Sequence, residues 1–407
     1  MRPGCDPDAG YTMRLHLRST VLAAALIAPA AVITAACGQS DSAAASPPAA
    51  KAATAGAARA TTAPRPTLAT ELRRVVAAGS PGVIALVNDG HKIRLHAAGL
   101  AATRSRRALR PTDRFRAGSI TKSFVATVAL QLVGEGKLSL ADPVEHWLPG
   151  ILPYGDRITL RQLLNLTSGV PDNQATVEAD YLKGNLTHAW SPRELVAIVA
   201  QKKPDFAPGT SWAYSNTNYV LAGLIIERAT GHRLGQELAQ RVFAPLHLRR
   251  TSFPLNASAI AGDHTNGYAS VDGKLQDVST LSPSGAWASG NLVSTAGDIA
   301  HFWRALLGGK LLAPAQLAAM KSTVATERDS PLRYGLGIIR TPSHCGMLWG
   351  NGGDIVGASN SFQNTEDGQR QAGVIVNVNP MPQALGEPLG GAKQAAISDA
   401  LGSRKPC

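Results

Sequence analysis

The strand-forming segments of this chain lie near its two ends, with helix-forming segments between them, and few topologies satisfy that order. Gly82-Val-Ile-Ala-Leu-Val87 is followed by Asn88-Asp89-Gly90 and then by Lys92-Ile-Arg-Leu-His96. The Asp-Gly pair supplies the positive φ that a tight reversal needs, so this segment reads as a β-hairpin. Towards the other end, Ser359 to Gln363, the turn Glu366-Asp367-Gly368 and Ala372-Gly-Val-Ile-Val-Asn377 read as a second hairpin, preceded by a short strand at Gly346 to Trp349. Between these ends, Ser123 to Leu132 and Tyr219 to Arg228 carry apolar residues at helical spacing. The simplest closure is an α/β domain: one antiparallel sheet built from both ends, helices packed on it, and a mostly helical insertion.

Composition narrows the class. The chain has 407 residues, 44% hydrophobic and 17% charged, too apolar for a disordered protein; its 40 glycines have no period of three, which excludes collagen. No run after the N-terminal region approaches the roughly 18 apolar residues that span a membrane. Net charge is +12, of which residues 1–66, with six Lys/Arg against three Asp/Glu, hold only a small part. The basic residues are scattered, without interleaved aromatics or zinc-ligand spacing, so the charge describes a solvated surface or one suited to anionic envelope polymers, not a nucleic-acid site.

The first 66 residues read as an address. Met13-Arg-Leu-His-Leu-Arg18 is basic and Val21 to Ala36 is apolar, the two parts of a secretory signal, with Met13 as its natural start. Thr34-Ala-Ala-Cys37-Gly38 resembles a bacterial lipobox, with Thr34 where Leu is usual. Cys37 is therefore a lipidation candidate, and cleavage without lipidation is the alternative. The expected product is exported, either held at the outer face of the cell membrane through a lipid or secreted. Residues 1–37 are thus an upstream extension plus signal, 38–66 an Ala/Ser/Pro tether, and 67–407 a single domain, with no internal repeat or second linker. Export permits a disulfide between Cys345 and Cys407, worth about 4 kcal/mol in the chain-entropy model; two free thiols are the alternative.

Three segments carry chemistry. Gly118-Ser119-Ile-Thr-Lys122 opens the apolar helix, and Ser-x-x-Lys occurs once in the chain. A lysine three residues after a serine rises on the same helix face. Desolvation there disfavours the ammonium and makes the amine a base for the hydroxyl. A capping serine with a snorkelling lysine is the bland alternative. Tyr214-Ser215-Asn216, the single Tyr-x-Asn, stands before the second apolar helix. A phenol near a lysine can relay a proton, and an Asn can bond lysine and substrate together; helix capping by Ser215 or Asn216 is compatible with both. The third segment, Trp349-Gly350-Asn351-Gly352-Gly353-Asp354-Ile-Val-Gly357, lets a substrate backbone lie against a strand. A backbone N–H there, with that of Ser119, would make an oxyanion hole.

These motifs, in this order, resemble the penicillin-recognising serine hydrolases, the superfamily of class C β-lactamases and D-alanyl-D-alanine carboxypeptidases. Further likeness lies in Asp113-Arg-Phe-Arg-Ala-Gly-Ser-Ile-Thr-Lys-Ser-Phe124, Gln131-Leu-Val-Gly-Glu-Gly-Lys-Leu138, Leu163-Leu-Asn-Leu-Thr-Ser-Gly169, Tyr214-Ser-Asn-Thr-Asn-Tyr219 and Tyr334-Gly-Leu-Gly-Ile338. The resemblance covers roughly residues 68–400. It implies a β-lactamase/transpeptidase-like fold with a five-stranded antiparallel sheet and a helical part, the site lying between them. It also implies an acylated nucleophile at Ser119, its base at Lys122, a proton shuttle at Tyr214 and an orienting group at Asn216. The backbone N–H groups of Ser119 and Asp354 would then surround the oxyanion, with no metal or cofactor.

The third motif departs from the family pattern, which has His or Lys where Asn351 stands. Asn donates a hydrogen bond but carries no charge, so recognition of a substrate carboxylate is the function placed in question. Asn351, Gly352 and Gly353 are substrate-binding candidates. Arg340 could bring a charge from a neighbouring strand or be a surface residue, and Trp287 could line the cleft or pack in the core. His344-Cys345-Gly346 fits His-x-Gly but sits seven residues too early. The leading expectation is a monomeric, exported D-alanyl-D-alanine carboxypeptidase acting on peptidoglycan stem peptides, with β-lactams as covalent inhibitors. Alternatives are an esterase, D-amino-acid amidase or β-lactamase on the same scaffold, and a binding lipoprotein that does not turn over.

Overall fold

The computed structural model describes residues 66–327 and 330–403. The signal, the lipidation candidate Cys37 and nearly all of the expected tether lie outside the described residues.

Nine strands form one antiparallel sheet: β1 Gly82–Asp89, β2 Ile93–Ala102, β3 Arg107–Ala108, β4 Val324–Ala325, β5 Arg333–Tyr334, β6 Ile339–Ser343, β7 Gly346–Ile355, β8 Ala358–Asn364 and β9 Arg370–Val376. Their spatial order is β3-β2-β1-β9-β8-β7-β6-β5-β4. The two hairpins meet at β1 and β9, in register from Val83–Val376 to Asp89–Arg370. Five adjacent strands (β2, β1, β9, β8 and β7) have seven to ten residues, and they form the sheet the resemblance implies. β6 and the two-residue strands widen it at its edges. β7 is longer than the expected Gly346 to Trp349, because it continues through the glycine-rich motif.

Both faces of the sheet are covered. Val83, Ala85 and Val87 pack with Val374 and Val376 against α1 (Leu68–Ala77) and the C-terminal helix Gly386–Leu401. Ile84, Leu86, Phe362 and Ile375 face the helical side, towards α2 (Thr121–Gly134), α3 (Asn216–Thr230) and α4 (Ala296–Leu307). Burial on two faces explains why β1 reads as a continuous apolar run instead of alternating. Helix α2 is buried all round, with Phe124, Val125, Val128 and Leu132 in the core, and that is why it is apolar all round. Lys122, in its first turn, is denied water.

Candidate active site

Ser119 sits in a single 3₁₀ turn, Gly118–Ile120, that runs directly into α2. The turn is pinned from both sides. Thr121 Oγ1 donates to Gly118 O at 2.7 Å and accepts the N–H of Leu292 at 3.0 Å. Asn360 Nδ2 donates to Arg116 O and to Gly353 O, both at 3.0 Å, tying the approach to Ser119 to strand β7. Two glycines permit that contact. Gly118 has φ +53°, and a Cβ there would lie 2.8 Å from Gly353 C and 2.9 Å from Asp354 O. A Cβ on Gly353 would lie 1.9 Å from Ala117 O. The backbones of Ser119 and Asp354, the expected oxyanion donors, are therefore neighbours. The pairing of β6 with β7 stops at Ile339–Gly350, so from Asn351 onward β7 meets the Ser119 turn and not another strand on that side.

Lys122 is fully buried, and its Nζ has three oxygen partners: Ser119 Oγ at 2.9 Å, Asn216 Oδ1 at 2.7 Å and the backbone carbonyl of Ser289 at 2.9 Å. Burial lowers its pKa to about 7, against the opposing charge of Asp172. The partner set then fixes the direction of proton flow. A neutral amine has two hydrogens and one lone pair. Asn216 Oδ1 and Ser289 O can only accept, so they take both hydrogens. The lone pair is left for the Ser119 hydroxyl.

Tyr214 lies at the mouth of the site, 39% exposed, with its hydroxyl turned in to Ser119 Oγ at 2.5 Å. Burial of that hydroxyl, then the neighbouring Tyr334, holds its pKa well above the ordinary phenol value. Tyr214 is therefore a neutral donor at physiological pH, and of the two groups touching Ser119 the lysine is the one suited to act as a base. The Lys122 nitrogen also lies 4.8 Å from the Tyr214 ring centroid and 5.6 Å from that of Tyr219.

Asn216 is the first residue of α3. Its N–H is capped by Asp172 Oδ1 at 2.9 Å, while Ser215, the N-cap residue, makes no side-chain cap. The cap thus comes from a distant segment and not from the Tyr-x-Asn motif. The Asn216 amide donates to Asp172 Oδ2 at 3.4 Å and to Gln174 Oε1.

The remaining candidates are placed less simply. Asn351, expected to face substrate, is 5% exposed, and its Nδ2 donates inward to Ser123 Oγ at 3.2 Å and Gly337 O at 3.3 Å. Gly352 is half-buried on the same strand. Trp287 belongs to the core, 3% exposed, with its ring against Gly223 of α3; its contribution is through the chain, since it begins the turn that presents Ser289 O. Arg340 pairs with Trp349 and Arg333, one ladder step further out than Ile339–Gly350. His344 and Cys345 form the β6–β7 turn and Gly346 opens β7, five residues before Asn351. Cys345 is disulfide-bonded; Cys407 lies outside the described residues. Among the described residues, no three His, Cys, Asp or Glu side chains gather as metal ligands would.

Sequence reasoning missed Asp172, Gln174 and Ser289. Ser289 acts through its carbonyl, which leaves no side-chain signal. Asp172 lies three residues past Leu163-Leu-Asn-Leu-Thr-Ser-Gly169 and caps a helix more than 40 residues further on, which no local pattern announces.

A nucleophilic serine, a desolvated lysine and a neutral tyrosine at the edge of an antiparallel sheet define a serine hydrolase of the penicillin-recognising class. The family model described as Beta-lactamase matches residues 48–394, and the chain belongs to that family. Among solved structures it is similar to a D-stereospecific amidohydrolase from Streptomyces sp., 38% identical with a TM-score of 0.73, covering 78% of this chain and 96% of that one. It is also similar to the D-amino acid amidase from Ochrobactrum anthropi SV3, 28% identical with a TM-score of 0.71, covering 81% and 97%. Among curated proteins it resembles Penicillin-binding protein 4* of Bacillus subtilis (strain 168), 26% identical over 269 residues, covering 63% of this chain and 58% of that protein. The chain thus spans under two thirds of that relative's length.

Proposed function

We propose that this protein is a D-stereospecific amidohydrolase, cleaving an amide or ester whose acyl part is a D-amino acid and whose leaving group carries no carboxylate. The observation that carries this reading is Asn351. Where the family pattern has a cation, this chain has a neutral amide that is buried and spends its donors on Ser123 and Gly337. Hydrogen bonds with a charged partner contribute about 1.5–3 kcal/mol, and the strongest are those in which both partners are charged, a pairing that an amide cannot offer. The usual hold on a substrate carboxylate is therefore weakened, while the Ser119–Lys122–Tyr214 machinery is complete. The likeness to two D-specific amidases supports the D side of the reading.

In this reading Lys122 takes the Ser119 proton as Oγ bonds to the substrate carbonyl carbon, and the N–H groups of Ser119 and Asp354 receive the oxyanion. Tyr214 gives its proton to the leaving amine and recovers one from Lys122, and water then hydrolyses the ester. Export, with lipidation at Cys37 or plain secretion, and a monomeric state complete the proposal. The second reading, a D-alanyl-D-alanine carboxypeptidase of peptidoglycan stem peptides that β-lactams acylate, is favoured by the likeness to a penicillin-binding protein.

The test compares D-phenylalanine amide, its L-enantiomer and an acetylated Lys-D-Ala-D-Ala peptide on residues 67–407, with Ser119→Ala as control. The proposal expects the D-amide to turn over at least tenfold better than the other two. D-Ala release as the fastest reaction would replace it with the carboxypeptidase reading.

A further inference from the structure

Asp172 lies outside every motif of the sequence, yet both of its carboxylate oxygens face Asn216. Oδ1 accepts the backbone N–H at 2.9 Å and Oδ2 faces the side-chain amide at 3.4 Å. We propose that Asp172 is a positioning residue for the Ser119–Lys122 pair: by holding both nitrogens of Asn216, it keeps Asn216 Oδ1 turned to Lys122 Nζ and so aims the lone pair of the amine at Ser119.

The two ends of the Asn216 amide are not interchangeable. The Nδ2 end of Asn216 meets two acceptors, Asp172 Oδ2 and Gln174 Oε1, and the Oδ1 end meets the lysine nitrogen. Turning the amide over would set donor against donor at Lys122 and acceptor against acceptors on the other side. Of the two carbonyls that occupy the lysine's hydrogens, that of Ser289 is backbone and fixed. Only that of Asn216 can rotate away, so control of Asn216 is control of the lysine. Gln174 makes the closer contact with Nδ2, but its side chain is exposed and shared through Nε2 with Glu178, whereas Asp172 holds the backbone N–H of Asn216 as well and carries the charge. Asp172 also acts by charge. Lys122 is faced by Ser119, Asn216, Ser289 O and the rings of Tyr214 and Tyr219, none of them ionised at neutral pH; the Asp172 carboxylate supports the ammonium against the burial that opposes it. Asp172 in turn is faced by Lys122, Asn216 and the backbone N–H of Gln174, and burial pushes its own pKa up.

The experiment uses a fluorophosphonate on residues 67–407, because phosphonylation of Ser119 reads its activation whatever the substrate: the Oγ–P bond forms, fluoride leaves and the proton passes to Lys122. The inference rests only on the serine chemistry, so failure of the D-amide assay leaves it testable. The rate of Ser119 phosphonylation is followed against pH by intact mass. Asp172→Asn is expected to slow it about tenfold or more at pH 8 and to move the acid limb to lower pH, since the lysine loses its supporting charge. Asp172→Glu is expected to recover part of the rate. If loss of the α3 cap prevents folding of Asp172→Asn, Asp172→Ser keeps an acceptor for the backbone N–H while removing the charge and the second oxygen, and the same two readouts apply. A wild-type rate, or a slower rate with an unmoved acid limb, overturns the proposal.

Discussion

The nitrogen of Lys122 stands 2.9 Å from Ser119 Oγ on a helix that is buried on every side. The short distance suits the pair to act as nucleophile and base. The burial makes the lysine neutral enough to act at physiological pH, since an exposed lysine, near 10.4, is almost wholly protonated there.

The first prediction is a rate profile. Activity requires neutral Lys122, so kcat/KM is expected to climb with pH through about 7, the value burial gives this group. No fall due to Tyr214 is expected below pH 10, because its pKa is held well above the ordinary one. Lys122→Met is expected to lose about 10²–10⁴ in kcat/KM. A steady-state profile from about pH 3 to 10 on both proteins is the check. An acid limb near pH 4 in the wild type would assign the base to a carboxylate instead.

The same burial has a thermodynamic consequence. Between about pH 7 and 10 the unfolded chain binds a proton on Lys122 that the folded chain does not, so wild-type stability gains from rising pH in that window. Below it both states are protonated and the folded one bears the desolvation. Melting temperatures of wild type and Lys122→Met, compared from pH 6 to 10, are expected to show the wild type gaining on the variant as pH rises. Parallel curves would mean that the folded lysine titrates at its ordinary pKa.

Tyr214→Phe keeps the ring at the mouth of the site and removes the hydroxyl at 2.5 Å from Ser119. Its expected effect depends on the leaving group. An amide leaves as an amine and needs a proton, so kcat on D-phenylalanine amide should fall by about 10² or more. A p-nitrophenyl ester leaves as a stable phenolate and should lose several-fold less. Equal losses on both substrates would move the role of Tyr214 from proton donor to positioning of Ser119.

Much of this was legible in the residues, and the limits are physical. The hairpins at Asp89-Gly90 and Asp367-Gly368 advertise themselves by turn chemistry, and α2 and α3 by apolar content, so the sheet built from both ends follows. The lysine's altered basicity follows too, because an all-apolar helix can only be a buried one. What pattern does not carry is the direction of a side chain at the edge of a sheet. Asn351 sits in the expected strand, but whether its amide faces substrate or Gly337 is decided by packing between β7 and α2. Backbone acceptors such as Ser289 O and caps lent by distant segments such as Asp172 have no local sequence cost, and so they leave no mark.

Gly353→Ala tests the contact between β7 and the nucleophile turn. Its Cβ would stand 1.9 Å from Ala117 O, backbone against backbone, so one of the two segments must move. The expected result is a loss of about 1–3 kcal/mol, seen in chemical denaturation. Acylation of Ser119 should fall further than stability alone explains, since the Asp354 N–H moves with the strand. Retained activity in a destabilised but folded variant would remove Asp354 from the oxyanion hole.

Asn351→His asks whether this position governs what the site accepts at its leaving-group end. At pH 6 an imidazolium there would offer a substrate carboxylate an ion pair, where the Asn351 amide carries no charge and turns its donors to Ser123 and Gly337. The difference of about 1–1.5 kcal/mol corresponds to about five- to tenfold. The substitution also removes the Asn351 bonds to Ser123 and Gly337, but Ser123 Oγ still donates to Gly337 O at 2.6 Å, so the latch between α2 and the Gly337 loop survives. The expected outcome is a rise of that size in the rate on acetylated Lys-D-Ala-D-Ala relative to D-phenylalanine amide, largest at pH 6 and fading by pH 8 as the imidazolium loses its proton. A ratio unchanged across that range would place carboxylate recognition away from residue 351 and return the carboxypeptidase reading to the front.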